Sequence, residues 1–207
     1  MNERFMMKIA IATTKGGAAK TTTAMLLAEA AGRAGHTARV VDLDPQGSAT
    51  EWAEIAEQSG DPLTRYDVTF AIKPILQKTL AASDQEWIFI DTPPGDSATI
   101  DEAVRLADFV IVPTPVAPED FNRAVKTLNA IDKPAALLLC HWNKQNKKMY
   151  DLVRNQIEEN DLIAFEAEVP NKQQLQNFWY ANTSKGDLGG YQDVFTELSK
   201  TLKILNS

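Results

Sequence analysis

Cysteine is nearly absent: Cys140 stands alone, so the chain can form no internal disulfide and no CxxC metal or iron–sulfur arrangement. A solitary thiol suits a reducing cytosol. Histidine is almost as scarce. Neither His36 nor His141 lies beside a nucleophile or at metal-ligand spacing, so neither is expected to carry chemistry. No apolar run reaches the roughly 18 residues that mark a membrane-spanning helix, and Met1 to Lys8 has no apolar core of signal-peptide length. A soluble, cytoplasmic protein is expected. An excess of positive charge is also lacking: 28 acidic residues face 21 basic ones, a net charge of -7. A dedicated nucleic-acid binder usually carries a basic domain. Any contact with DNA would therefore come from a local patch, one that dimerisation could complete.

What is present is a globular pattern. The 207 residues are 44% hydrophobic, enough for a single well-buried domain over residues 1–207. No repeat, low-complexity tract or linker interrupts it. Short apolar runs alternate with helical patterns from end to end, which predicts βαβ units. Strands are expected at Lys8–Thr13, Ala38–Leu43, Trp87–Asp91, Phe109–Pro113 and Ala135–Trp142, with weaker ones at Asp67–Ala71 and Ala164–Val169. Helices are expected at Thr21–Ala34, Ala49–Gln58, Lys73–Ala82, Ala98–Leu106, Glu119–Asp132, Lys148–Asn160 and Gln192–Ile204. Runs such as Trp87-Ile88-Phe89-Ile90 read as strands covered on both faces. The fold class is α/β, a doubly wound, mostly parallel sheet flanked by helices.

Between the first strand and first helix lies Thr14-Lys15-Gly16-Gly17-Ala18-Ala19-Lys20-Thr21, the context a phosphate loop requires. Gly16 and Gly17 let the backbone fold tightly, so that its N–H groups point at phosphate oxygens. The helix that follows adds its positive end. Lys20 is placed to neutralise the β and γ phosphates, and the Thr21 hydroxyl to ligate Mg²⁺. The nucleotide-binding set is Lys15, Gly16, Gly17, Ala18, Ala19, Lys20, Thr21 and Thr22. A Rossmann reading fails because no GxGxxG is present and Lys20-Thr21 would have no task.

Two further motifs end strands with acids. Val41-Asp42-Leu43-Asp44-Pro45-Gln46-Gly47 closes the second strand, where Asp42 and Asp44 are expected on one face. Ile90-Asp91-Thr92-Pro93-Pro94-Gly95 closes a later one. Ligands of open α/β sheets bind beyond the carboxyl ends of strands, so all three motifs converge on one sheet edge. Asp91 reads as the acid that holds Mg²⁺, in company with Thr21.

The Lys-Gly-Gly-x-x-Lys-Thr loop, the DxDPQG stretch and the DTPPG segment together resemble the ParA/MinD family of deviant Walker A P-loop ATPases. The small ParA-type plasmid partition ATPases are the nearest form. The resemblance implies ATP as ligand, with Lys15 as a signature lysine that reaches across a homodimer formed on ATP binding. It implies that Asp44 orients the attacking water and that Asp42 supports the magnesium shell, making Lys15, Lys20 and Asp44 the catalytic set. The metal set is then Thr21, Asp42 and Asp91. It also implies that Asn143 meets the adenine edge and that Pro170 and Asn171 begin the base-flanking loop. Ala19 replaces the family's usual glycine, which implies slow hydrolysis.

Partners follow from the same resemblance: a ParB-like or small centromere-binding adaptor, and non-specific DNA bound through Lys144, Lys147 and Lys148. Arg154, Lys172 and Lys185 are candidate neighbours in that patch. The implied location is the cytoplasm, in association with the nucleoid. Only about a dozen residues precede the phosphate loop, as in the small forms of the family. Two other members of the group offer alternatives. A MinD-like membrane positioner would need a basic amphipathic tail, but the Val194–Leu205 pattern reads as a helix packed on the core. A weakly hydrolysing scaffold in a DNA-processing assembly would suit Ala19. Trp179 and Tyr180 read as core or interface aromatics, and Cys140 as a small core residue.

Overall fold

The computed structural model describes residues 6–171, 175 and 177–205, with Lys144 described by its backbone alone. Seven strands form one sheet in the order β3-β2-β4-β1-β5-β6-β7, and every pairing in it is parallel. They are β1 (Met7–Ile11), β2 (Ala38–Asp42), β3 (Tyr66–Phe70), β4 (Trp87–Asp91), β5 (Phe109–Pro115), β6 (Ala135–Trp142) and β7 (Val169–Pro170). The helices fully within the described residues are α1 (Lys20–Arg33), α2 (Ser48–Gln58), α3 (Leu76–Ala81), α4 (Ser97–Leu106), α5 (Pro118–Asn129), α6 (Lys147–Glu159) and α7 (Tyr191–Leu205).

Alternate residues of the strands feed two separate cores, as the two-residue period of a strand requires. Ile9, Ile11, Phe89 and Leu138 pack with α1, α2 and α7 on one face. Ala10, Ile88, Ile90 and Leu137 pack with α3 to α6 on the other. The Ala- and Leu-rich α1 is buried along most of its length, as a helix without a polar face must be. Its one buried acid, Glu29, is fully enclosed and held by Arg33 at 2.9 Å and Arg65 at 3.1 Å. On α7, Tyr191, Val194, Phe195, Leu198 and Leu202 are buried in the first core, so its amphipathic face is used within the fold.

Two expected elements differ. The helix foreseen at Lys73–Ala82 is divided: Pro74 opens a 3-10 turn at Lys73–Ile75, and regular helix follows only from Leu76. Proline is admitted in the first turn because it has no N–H to lose there. The strand foreseen at Ala164–Val169 contracts to a Leu137–Ala164 bridge and the two-residue β7. Side chains claim the intervening backbone. The Glu197 carboxylate accepts from the N–H groups of Glu166 and Ala167, each at 2.9 Å, and Arg154 donates to the Glu166 carbonyl at 3.0 Å.

Candidate functional site

β1 lies between β4 and β5, so successive connections leave it in opposite directions and open a crevice at its carboxyl end. The 12–19 segment turns through that crevice. Gly17 sits at φ 72° with nothing within 4 Å of where a Cβ would stand, the left-handed region that glycine enters without cost. Ala19 adopts φ 64°, ψ 22° at the N-terminus of α1. An L-residue is strained in that region by about 1–2 kcal/mol, which is the physical reason a glycine would be ordinary at this position. Lys20 is buried and donates from Nζ to the Lys15 carbonyl at 2.9 Å, closing the loop on itself. Burial draws the Lys20 pKa down, while Asp91 and Asp44 act against that shift. An ammonium so enclosed gains from an incoming anion.

The acids are arranged less uniformly than alternation suggests. Asp42 and Asp91 end adjacent strands in register. β2 stops at Asp42, however, and Asp44 opens a turn, its carbonyl accepting from the Gly47 N–H at 2.8 Å. The Asp42 carboxylate is fully buried and occupied: Oδ1 accepts from the Asp44 N–H at 3.1 Å, and Oδ2 from the Thr50 N–H at 2.9 Å and hydroxyl at 2.8 Å. It ties the first turn of α2 to the sheet. Asp44 instead lines the crevice and accepts from the Gln46 N–H at 2.9 Å.

Asp91 Oδ2 accepts from the Thr21 hydroxyl at 2.7 Å, whereas its Oδ1 is buried with no hydrogen-bond partner. Burial pushes the Asp91 carboxyl up to about 7, with the Thr21 bond opposing that rise. An orphaned carboxylate oxygen beside a hydroxyl on a phosphate loop fits a hard divalent cation, directly or through its water. Among the described residues, no three acidic, histidine or cysteine side chains gather into a metal cage. A cation here would therefore complete its shell with phosphate and water oxygens. The residues present fit Mg²⁺.

Gly16, Gly17, Ala19, Lys20, Thr21 and Thr22 line a cavity of about 360 Å³ with Asp44, Ser48 and Pro94. That size is within the range of small-ligand sites. Ala18 is buried. Lys15 is directed away from the cavity floor: its ammonium forms an ion pair with Asp120 in the first turn of α5.

The base-side expectations fare unevenly. Asn143 caps the turn before α6, its side-chain oxygen accepting from the N–H groups of Gln145 and Asn146 at 2.9 and 3.1 Å, and it does not line the cavity. Asn171 does line a second cavity of about 150 Å³ that shares Thr22, His141 and Trp179 with the first. Pro170 completes β7 beside it. His141 and Trp179, neither of them expected there, form the wall common to both cavities. The one available signal for Trp179 was its place in a polar stretch, which is poor company for a core residue. In the basic patch, Lys147 pairs with Asp151 at 2.9 Å, Arg154 is held by Tyr150 and the Glu166 carbonyl, and Lys148 is exposed. Lys185 lies 3.9 Å from Asp61. Lys172 and the Lys144 side chain lie outside the described residues.

Residues 9–178 match the CobQ/CobB/MinD/ParA nucleotide binding domain. The chain is 37% identical over 129 residues to the maintenance of carboxysome distribution protein A of Gloeobacter kilaueensis, a match over 61% of this chain and 57% of that one. It is 31% identical over 133 residues to the chromosome-partitioning ATPase Soj of Thermus thermophilus, over 51% and 53% of the two chains. The chain thus spans about half the length of these relatives. In fold it superposes with a TM-score of 0.71, at 20% identity, on a protein described as a plasmid partition protein of Borrelia burgdorferi bound to AMPPNP. That superposition covers 95% of this chain and 99% of the other.

Proposed function

The chain belongs to the CobQ/CobB/MinD/ParA nucleotide-binding family, and we propose that it is a ParA-type ATPase that positions DNA or another large cargo by an ATP-driven dimer cycle. The observation that carries this reading is the convergence of the Lys20–Thr21 loop, the Thr21–Asp91 hydrogen bond and Asp44 on one cavity. Relatives named for carboxysome distribution and for chromosome partitioning support the cargo class.

In this reading the loop N–H groups and Lys20 hold the β and γ phosphates, and Thr21 and Asp91 would hold Mg²⁺. When bound, the metal neutralises charge on the phosphate oxygens. Asp44 orients the water that attacks the γ phosphorus, because its carboxylate faces the cavity. Asp42 fixes the start of α2, and so the turn that carries Asp44. Lys15 leaves Asp120 on dimerisation and reaches the nucleotide of the second subunit. The dimer binds DNA phosphates through Lys144, Lys147 and Lys148, and a centromere-binding adaptor triggers hydrolysis. No described helix is long and apolar enough to cross a membrane, and Tyr191, Val194, Phe195, Leu198 and Leu202 of α7 are buried in the core, which favours the partition-type reading over the MinD-like one. A slowly hydrolysing scaffold is the second reading, favoured by the left-handed Ala19.

Solution mass with and without Mg-ATP, for the native chain and Lys15→Ala, tests the cycle. A monomer that doubles in mass only with ATP, and only with Lys15 present, is expected. A mass that ignores nucleotide, or a Lys15→Ala chain that dimerises equally, refutes it.

A further inference from the structure

We infer that Trp179 and His141 form a base-recognition wall, an aromatic platform on which the purine of a nucleotide stacks while its phosphates occupy the 16–21 loop. The inference rests on the nucleotide reading of that loop and deepens it.

The backbone supplies the first argument. Four non-glycine residues with positive φ are found among the described residues: Ala19, His141, Asp161 and Tyr180. Ala19 and His141 line the cavity, and Tyr180 adjoins Trp179, which lines it. Bulky L-residues are uncommon in this region and persist where the surroundings enforce them, often at ligand sites. His141, at φ 59°, falls where the β6–β7 register shifts between Cys140 and Trp142. A bulge of this kind re-aims the side chain it carries. By simple alternation His141 would follow its strand neighbours into a core. The shift leaves it exposed on the wall shared by the two cavities.

Trp179 supplies the second argument. Its ring stacks on Trp52 with centroids 5.2 Å apart and planes at 24°. Trp52 is fully buried, and its indole N–H donates to the Ala181 carbonyl at 2.8 Å. The platform is thus fixed from below before any ligand arrives, yet Trp179 itself remains 40% exposed. Its ring thus offers the cavity a fixed aromatic surface that a flat apolar group can cover. A purine does so, because every base has a π face. His141 adds one ring nitrogen that donates and one that accepts, suited to a base edge. The two cavities share this wall, so a nucleotide can place its phosphates in the larger and its base against the smaller.

Binding of Mg-AMPPNP and of Mg-tripolyphosphate, which has no base, tests the assignment by calorimetry and intrinsic tryptophan fluorescence. The native chain should bind AMPPNP about 10-fold more tightly than tripolyphosphate, a span typical of one base–aromatic stack, and only AMPPNP should change the fluorescence. Trp179→Leu should bring AMPPNP down to the tripolyphosphate level, while Trp179→Phe should hold within about 3-fold of native affinity. His141→Ala leaves the Trp52–Trp179 stack in place and should weaken AMPPNP alone, which decides the matter if Trp179→Leu does not fold. AMPPNP affinity unchanged in Trp179→Leu and His141→Ala overturns the base wall but spares the phosphate loop. A native chain that fails to bind tripolyphosphate overturns both.

Discussion

Ala19→Gly should stabilise the protein. Ala19 is held at φ 64°, ψ 22°, where an L-residue pays about 1–2 kcal/mol that glycine does not. Against this, glycine has more freedom in the unfolded chain, an opposing effect of about 0.4–1 kcal/mol. The position is also the N-cap of α1, where glycine is favoured over alanine. The balance is a net gain of roughly 0.5–1 kcal/mol. For a chain of this size each kcal/mol moves Tm by about 2–4 °C, so a rise of roughly 1–4 °C is expected in a thermal melt without nucleotide. Ala19→Val should fall well below the native Tm, because a β-branched side chain is a genuine outlier at positive φ. The loop keeps its shape in Ala19→Gly, so tripolyphosphate affinity should stay within about 3-fold of native, near 0.6 kcal/mol. A Tm that is unchanged or lower in Ala19→Gly, together with a tolerated Ala19→Val, would refute the left-handed assignment and the strain argument with it.

Two other consequences can be checked directly. Cys140 is fully buried, and burial pushes its thiol up to about 12. Since the thiolate is the reactive form, a thiol reagent at pH 8 should leave the folded chain unlabelled and react fully in urea. Rapid labelling without denaturant contradicts this. Asp120→Asn breaks the Lys15–Asp120 ion pair. Because Lys15 is partly exposed, stability should change by no more than about 1 kcal/mol. The ATP concentration for half-maximal dimerisation should fall, since Lys15 no longer has to leave a partner. A higher requirement, measured by light scattering, would mean that Asp120 positions Lys15 rather than restrains it.

The phosphate half of the site was readable because its information is local. Thr14 to Thr21 is a contiguous segment running from after a strand into the start of a helix, and most of its residues line the cavity that this placement predicts. Asp91 was equally plain, as an acid closing an unbroken apolar strand. Strands fully covered on both faces declare themselves by continuous apolar runs, and β4 and β6 kept their expected ends. Asp42 shows the limit of period-two reasoning. Alternation places it on one face with Asp44 but says nothing of Thr50, whose N–H and hydroxyl take its carboxylate. The contraction of the strand expected at Ala164–Val169 has a related cause, because Glu197, some thirty residues away, competes for the backbone.

The base half was illegible for a different reason. Its wall is assembled from the end of β6, the residue after β7 and the segment before α7, three pieces with no common motif. The family resemblance places Asn143 at the adenine edge. Yet an asparagine immediately before a helical turn also has a strong local use, and its side-chain oxygen accepts the capping bonds from Gln145 and Asn146. His141 reads as inert because it lies beside no nucleophile and at no metal-ligand spacing. Only the register shift against β7 turns it outward, and such a shift depends on pairing with a strand nearly thirty residues further on. Trp179 looked like packing, and half of it is: one indole supports it from within, while the other side of the site is left open. Phosphate recognition can be read from a loop because backbone N–H groups near in sequence do the work. A flat apolar ring needs a flat surface, and here separate segments supply it only after the sheet has formed.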